Sequence, residues 1–548
     1  MQLSSAHHTA HFNAANHPPD VHIPRDYNAA HDLLARNAHH PDKVAFINAD
    51  TGDQLTYGAL TQRAHRFANA LRAHGFAPES RVLMAMHDTP DWPVVFLGCI
   101  LAGVVPVAVN TLLTAADFEF MARDSRAQAL VVSPALLPSF EGWVGHLPGL
   151  RCLLVAGAAH TGSAPNTTLS QWLLEASALP TTADTCADDV CFWLYSSGST
   201  GAPKGTVHLH SHLVQTAELY GRGVLGIQTS DVVFSAAKLF FAYGLGNALT
   251  FPMAVGATSV LMAARPTPAA VFKVLQTHQP SIFYGVPTLF AALLADPARP
   301  DRARLNLRLC TSAGEALPAE LGKQWTAAYG VDLLDGIGST EMLHIFISNR
   351  PGQVRYGTTG QAVPGYQLRI TGDDGNPCAV GELGELQING PSAALMYWNN
   401  RAKTKATFAG EWTHSGDKYT VDADGFYTYG GRTDDMLKVG GIYVSPFEVE
   451  ACLMTHSAVL ECAVIGVTDP DDLVKPKAFV VLKAGHTATL EELQNHVKTR
   501  LAPYKYPRWV DFLPELPKTA TGKIQRFRLR QSAAEAPTTA SRDGAHQP

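Results

Sequence analysis

With 548 residues, 46% of them hydrophobic, the chain is too long for one ordinary core, and disorder is excluded as its main state. A formal net charge of -6, from 42 basic and 48 acidic residues, excludes the electrostatic footprint of a nucleic-acid wrapper or a coat on an anionic membrane, and favours a small-molecule partner. Eight cysteines without a CxxC pair exclude a disulfide framework and a zinc site, and place the chain in the cytoplasm.

Residues 1–22 carry five histidines and little apolar content, so they read as a disordered tail and lack the hydrophobic segment of a secretory signal. No uninterrupted apolar span of membrane length follows. The stretch RVLMAMHDTPDWPVVFLGCILAGVVPVAVN predicts strand, helix and strand, with Thr89 and Pro90 at the helix start and Gly103 as its stop. Further apolar runs, AQALVVS, LRCLLVAG and DVCFWLY, extend this βαβ unit to a layered, mostly parallel sheet of α/β type.

The last of these runs leads into YSSGSTGAPKG, residues 195–205. A phosphate group wants backbone N–H donors, short hydroxyls and one cation on a loop without bulk. Ser196, Ser197, Ser199 and Thr200 offer hydroxyls, Gly198, Gly201 and Gly205 allow close approach, and Lys204 carries charge. By composition alone such a loop is more often a surface turn. It lacks GxxxxGK[ST] and GxGxxG, which disfavours a Walker-type nucleotidase and a Rossmann site.

The segment KLFFAYGLGN, with Phe241, Ala242 and Tyr243, and the segment Met342, Leu343, His344, Ile345 imply an apolar slot, although aromatic stripes are more often plain core. His344 is suited either to bond a ring substituent or to fill the wall in neutral form. Lys238 would meet the substrate or a structural carboxylate. After residue 350, TGDDGNP and VDADGFYTYGG put Asp-Gly turns between short alternating strands, which predicts a small antiparallel β subdomain. Beyond Arg432 the chain resets into a small α+β domain, with capping boxes at Ser445/Glu448 and Thr489/Glu492 and with strands ECAVIGV and KAFVVLKA between them. The expected organisation is a tail (1–22), a large domain (23–433), a mobile small domain (434–530) and a second tail (531–548).

As an ordered string, YSSGSTGAPKG resembles the signature of the adenylate-forming enzymes, the superfamily of acyl-CoA synthetases, luciferases and peptide-synthetase adenylation domains. GIGSTE (336–341), WTHSGDKY, YGGRTDDMLKVGG and PKTATGKIQR follow in the family's order. Residues 235–258 and GEALP are most similar to benzoate-CoA ligases. A departure is Ile337, where many relatives carry an aromatic residue.

The resemblance implies the following roles. Thr200 and Lys204 sit with the leaving phosphates of ATP, Thr340 on the α-phosphate, and Glu341 on Mg²⁺. Asp417 and Arg432 serve the ribose and its phosphate. Lys523 bridges the acyl carboxylate and the α-phosphate, Asp434 is the hinge on which the small domain rotates, and Gly440 and Gly441 line the pantetheine path of CoA. Ser196, Ser197, Gly198, Ser199, Gly201, Glu315, Asp335, Gly336, Tyr429 and Lys438 complete the nucleotide and CoA contacts. Phe241, Ala242, Tyr243, Gly338, His344 and Ile345 line the aryl site, with Gly314 behind the ring. The implied reaction is benzoate + ATP + CoA to benzoyl-CoA + AMP + PPi through a benzoyl-adenylate. The alternatives are a substituted-benzoate ligase and a stand-alone adenylation protein that loads a separate carrier. The expected partner is a small aromatic carboxylate, with no nucleic acid and no membrane. A homodimer and a lysine acetyltransferase acting on Lys523 are carried as further hypotheses.

Overall fold

The computed structural model describes residues 9–13, 20–157, 167–196, 203–433, 435–439, 442–469, 473–518 and 524–535. The chain forms two compact units: one of residues 1–415 and 421–428, the other of 416–420 and 429–548.

In the first unit the expected βαβ element is Arg81–Ala85, Asp91–Leu101 and Val105–Ala108, with the two strands parallel. The helix buries Trp92 through Leu101 because it runs between apolar layers. Gly98 lets it approach its neighbour Tyr57–Ala73: a Cβ there would stand 2.9 Å from the Ala64 carbonyl and the Phe67 ring. The sheet continues in parallel through Ala129–Val132 and Cys152–Val155 on one side and Val190–Ser196 on the other. Runs such as Ala-Leu-Val-Val are buried throughout, as a strand covered on both faces requires. Lys204–Leu209 then returns antiparallel to Val190–Ser196, and the two-residue strand Met396–Tyr397 closes that edge.

A second, nine-stranded sheet has a parallel centre, in the order Leu333–Gly338, Leu309–Ser312, Ile282–Gly285, Val232–Ser235, Thr258–Leu261 and Val44–Asn48. Ser312 pairs with Asp335, so the segments that leave these two strands, Gly314–Glu315 and Gly336–Gly338, lie side by side at their carboxyl ends. Open α/β sheets place ligands at such ends. The expected antiparallel subdomain is present: Gln367–Thr371 pairs with Gly384–Asn389, and the intervening turn has Gly375 at φ +80° with Asp374 accepting from the Asn376 amide.

The second unit has Val459–Thr468 antiparallel to Val474–Leu482, which pairs in parallel with Trp509–Phe512. Helices Pro446–Met454 and Leu490–Lys498 cover it through Val449, Leu453, Leu493 and Val497. The Thr489/Glu492 capping box is complete. At Ser445 only half the predicted box forms. Its side chain accepts from the Glu448 amide, but both Glu448 carboxylate oxygens are bound by Lys505 at 2.6 Å, and a cation outcompetes a backbone amide for them. Within segment 1–22, His11–Asn13 pairs with Asp20–His22. The last helix, Arg526–Glu535, extends past residue 530, anchored by buried Leu529.

Among the described residues no helix is long and apolar enough to cross a membrane.

Candidate active site

The glycine-serine loop joins the two strands of a hairpin whose register puts Ser196 opposite Lys204. Ser197, Gly198, Ser199, Thr200 and Gly201 lie outside the described residues. The hairpin base is tied to its neighbours by polar and aromatic contacts. Tyr195 donates to Asp124 Oδ2 at 2.6 Å, the Trp193 and Trp398 rings are 4.5 Å apart, and Trp398 Nε1 donates to the Asp124 carbonyl. At the loop's edge the buried Ser196 Oγ has no partner among the described residues, and the Lys204 ammonium stands 4.7 Å from the centre of the Tyr397 ring.

GIGSTE occupies the end of Leu333–Gly338 and the turn after it. That turn doubles back so tightly that a Cβ on Gly338 would lie 2.5 Å from the His344 carbonyl oxygen, which explains glycine there. Leu343 completes the reversal at φ +65°, and Ser339 Oγ accepts from the Met342 amide. Two bonds fix Thr340 and Glu341 within it. His208 Nε2 donates to the Thr340 carbonyl at 2.8 Å, and Ala394 N–H donates to the Glu341 carbonyl at 2.7 Å. Burial holds the His208 imidazole down at about 4, so it is neutral and carries its proton on Nε2.

The Glu341 carboxylate accepts from the Tyr397 hydroxyl through Oε1 at 2.6 Å, which leaves Oε2 as a hard oxygen donor. Among the described residues no cluster of three His, Cys, Asp or Glu stands ready to cage a metal. One carboxylate without a cage suits Mg²⁺ shared with nucleotide phosphates, since that ion keeps waters and takes few protein ligands.

Gly336 is filled by its neighbours: a Cβ there would meet the Ile345 side chain at 3.0 Å. Ile337 pairs with Ile347. Asp335 is buried, its Oδ1 without a partner among the described residues, and burial pushes its pKa up to about 8, with the Leu317 and Gly336 amides and the Thr359 hydroxyl opposing.

The residues expected at the aryl site come together where Ala242–Leu245 meets the turn. His344 is buried against Tyr243, Tyr220 and Phe251, with ring centres 5.5, 5.4 and 4.5 Å away. Tyr243 is tied by its hydroxyl to Thr311 Oγ1 at 2.5 Å. Ala242 and Ile345 are buried and Phe241 half-buried. Gly314, at φ +94°, and Glu315 follow the neighbouring strand. His344 Nε2 donates to the Tyr243 carbonyl at 3.2 Å, so its other nitrogen, Nδ1, holds a lone pair, and that atom is buried without a partner among the described residues. Burial lowers this ring to about 3, so it is neutral. Lys238 points elsewhere: its ammonium donates to the carbonyls of Met262 and Ala264 and is lowered by burial, with Asp88 opposing.

In the second unit Asp417 and Arg432 come together at 3.2 Å, with glycines at φ +71° (Gly416) and +128° (Gly431) beside them. Tyr429 packs between Tyr419 and Phe447, with ring centres at 5.4 and 5.6 Å. Lys438 lies on Leu437–Val439, paired with Tyr443. Asp434, Gly440, Gly441 and Lys523 lie outside the described residues.

Tyr397 and His208 belong to the site although they stand outside its sequence motifs. Tyr397 is 191 positions from Thr206, its partner in the hairpin, so no local spacing reveals it; His208 sits in HLHSH directly after the loop, where a run of histidines in an apolar strand is a readable signal.

Residues 33–398 match the AMP-binding enzyme family and residues 448–523 match the AMP-binding enzyme C-terminal domain. The chain is 59% identical over 525 residues to a benzoate–CoA ligase of Thauera aromatica, covering 94% of this chain and 98% of that one. It is 49% identical to a 4-hydroxybenzoate–CoA/benzoate–CoA ligase of Rhodopseudomonas palustris, covering 92% and 94%. Among solved structures, a benzoate CoA ligase from Burkholderia xenovorans superposes with a TM-score of 0.86 at 53% identity, covering 92% of this chain and all of that one.

Proposed function

The chain belongs to the AMP-binding enzyme family, and we propose that it is an AMP-forming acid–thiol ligase that converts benzoate, ATP and CoA to benzoyl-CoA, AMP and pyrophosphate. The observation that carries this reading is the contact of Tyr243 with His344 directly after the fixed Thr340–Glu341 turn: with Ala242 and Ile345 these residues would wall a site for a flat ring, whose carboxylate would emerge next to the phosphate-binding groups.

A carboxylate is a poor acylating agent because its charge repels nucleophiles and its oxygen leaves badly. In the first step a carboxylate oxygen of benzoate bonds to the α-phosphorus as the bond to the β-phosphate oxygen breaks, giving benzoyl-AMP and pyrophosphate. Charge on the departing phosphates is met by Lys204 and, by the family resemblance, Thr200. Mg²⁺ would be held by Glu341 together with those phosphates and would neutralise part of the same charge. Thr340 would hold the α-phosphate, and Lys523 would bridge it to the acyl carboxylate. Ser196–Gly201, Glu315, Asp335 and Gly336 would surround the nucleotide, and Asp417, Tyr429 and Arg432 its ribose.

In the second step the CoA sulfur, having lost its proton, bonds to the acyl carbon and AMP leaves with the bonding oxygen. A lysine over that carbon would block the thiol. The small domain, residues 434–530, would therefore rotate about Asp434 and bring Lys438, Gly440 and Gly441 to the pantetheine arm. The same reading places the enzyme in the cytoplasm, where ATP and CoA are available, and makes Lys523 a target for acetylation, which would remove the charge the first step needs.

One observation favours a second substrate class. The bare Nδ1 of His344 is an acceptor in an otherwise apolar wall, suited to a hydroxyl or amino group on the ring. Benzoate-dependent exchange of pyrophosphate into ATP, followed across benzoate, hydroxy- and aminobenzoates, cyclohexanecarboxylate, hexanoate and acetate, tests both readings. Fastest turnover is expected with benzoate or a ring-substituted benzoate; fastest turnover with acetate or hexanoate overturns the assignment.

A further inference from the structure

Tyr397 lies outside every motif of the site, yet two functional arms meet on it. Its hydroxyl donates to Glu341 Oε1 at 2.6 Å, and the face of its ring stands 4.7 Å from the Lys204 ammonium. The first contact holds the carboxylate assigned to the metal; the second is within cation–π range for the cation assigned to the phosphates.

The tyrosine is itself held on three sides. Its strand pairs with Lys204–Leu209, Thr206 opposite Tyr397. Its amide donates to Thr404 Oγ1 at 3.0 Å, and its ring packs 5.4 Å from Phe408. The same chain segment also grips the turn, through Ala394 N–H to the Glu341 carbonyl and Ser392 Oγ to the Met342 carbonyl, both at 2.7 Å. The residue is 3% exposed, so these contacts have little competition from water.

We propose that Tyr397 is a positioning residue that sets the Glu341 carboxylate for a divalent cation and seats Lys204 on its ring, so that the metal-binding and phosphate-binding arms are fixed by one side chain. By occupying Oε1 it directs Oε2 to the cation and prevents Glu341 and Lys204 from collapsing into a direct ion pair. The proposal deepens the ligase reading and rests on it.

The test uses the full chain loaded with ATP and Mn²⁺ as the probe. Tyr397→Phe keeps the ring and removes only the hydroxyl. By electron paramagnetic resonance, Mn²⁺ half-saturation of the ATP-loaded protein is expected to rise about tenfold, and the Mg²⁺ concentration for half-maximal pyrophosphate exchange to rise in parallel, with most of the exchange rate recovered at saturating Mg²⁺. Tyr397→Leu, which removes the ring as well, is expected to weaken pyrophosphate binding further. A role through Glu341 requires that Tyr397→Phe add nothing to Mn²⁺ binding once Glu341→Gln is present, whereas a merely structural role gives additive losses. Unchanged Mn²⁺ half-saturation in Tyr397→Phe, or additivity in the double variant, overturns the proposal. If the wild-type chain exchanges pyrophosphate with no aromatic acid, the ligase reading fails instead, and the Mn²⁺ titration still reads out the tyrosine.

Discussion

His344 donates from Nε2 to the carbonyl of Tyr243 at 3.2 Å, and that bond decides which of its nitrogens is left over. A neutral imidazole has one N–H, so Nδ1 is left as a buried acceptor without a partner among the described residues. A ring hydroxyl or amine placed against it would satisfy it, and benzoate would not. Replacing His344 with Phe is therefore expected to lower the ratio of kcat/KM for hydroxybenzoate over benzoate by about tenfold, the worth of one hydrogen bond of about 1.4 kcal/mol. Steady-state rates with the two acids measure it; an unchanged ratio means no substituent reaches this nitrogen.

Gly246 stands behind the same ring. A Cβ there would lie 2.6 Å from His344 Nε2 and 2.8 Å from the tip of Phe251, too close for any real methyl. Gly246→Ala must displace the His344 imidazole or the Phe251 ring, since Gly246 itself lies in a packed helix. The expected result is a fall in stability of about 1–3 kcal/mol by thermal melt, with a rise in KM for benzoate larger than the rise in KM for ATP.

Much of this arrangement is legible in the amino-acid sequence. The βαβ unit around Arg81–Ala108 announces itself by apolar runs and a stop glycine, and the order of the motifs gives the family. Contacts across long separations are another matter. Tyr397 meets Glu341 and Lys204 only because a two-residue strand adds to the hairpin edge, and Lys238 spends its charge on two carbonyls of a strand end. Half of the Ser445 capping box is lost for the same reason: Lys505, 57 residues on from Glu448, takes the carboxylate. Local pattern fixes elements, while tertiary competition decides which polar groups remain for chemistry.

Lys518 and Ile524 form an isolated bridge, and the Arg526 guanidinium beyond it donates to both Glu450 oxygens at 2.8 Å. Glu450 also accepts from the Val464 amide at 2.7 Å. Glu450→Gln leaves the half-buried Arg526 without the carboxylate it bonds, at a cost of about 1–3 kcal/mol. Hydrogen exchange is expected to show lost protection along Val459–Thr468, with Val464 most affected; full protection there sinks the ion pair as an anchor.

The proposed rotation about Asp434 requires backbone freedom there, and proline would remove it by fixing φ. Asp434→Pro is expected to form benzoyl-AMP, trapped as the hydroxamate by hydroxylamine, while benzoyl-CoA formation falls by at least about a hundredfold. A variant that makes no adenylate, or makes thioester at the normal rate, shows the pivot to lie elsewhere.

Asp335 gives a pH signature of unusual sign. Its ordinary pKa of 3.8 is pushed up to about 8 in the folded chain because burial penalises the carboxylate. The folded state thus holds a proton that the unfolded state releases, and stability from this group is lost as pH rises from about 4 to about 8, then stays constant. Asp335→Asn cannot ionise and keeps the hydrogen-bonding shape. The variant should melt higher than the wild type, by a margin that grows between pH 5 and 8 and then levels off. A margin independent of pH would mean that Asp335 is already ionised at pH 5, and that the Thr359, Leu317 and Gly336 contacts outweigh its burial.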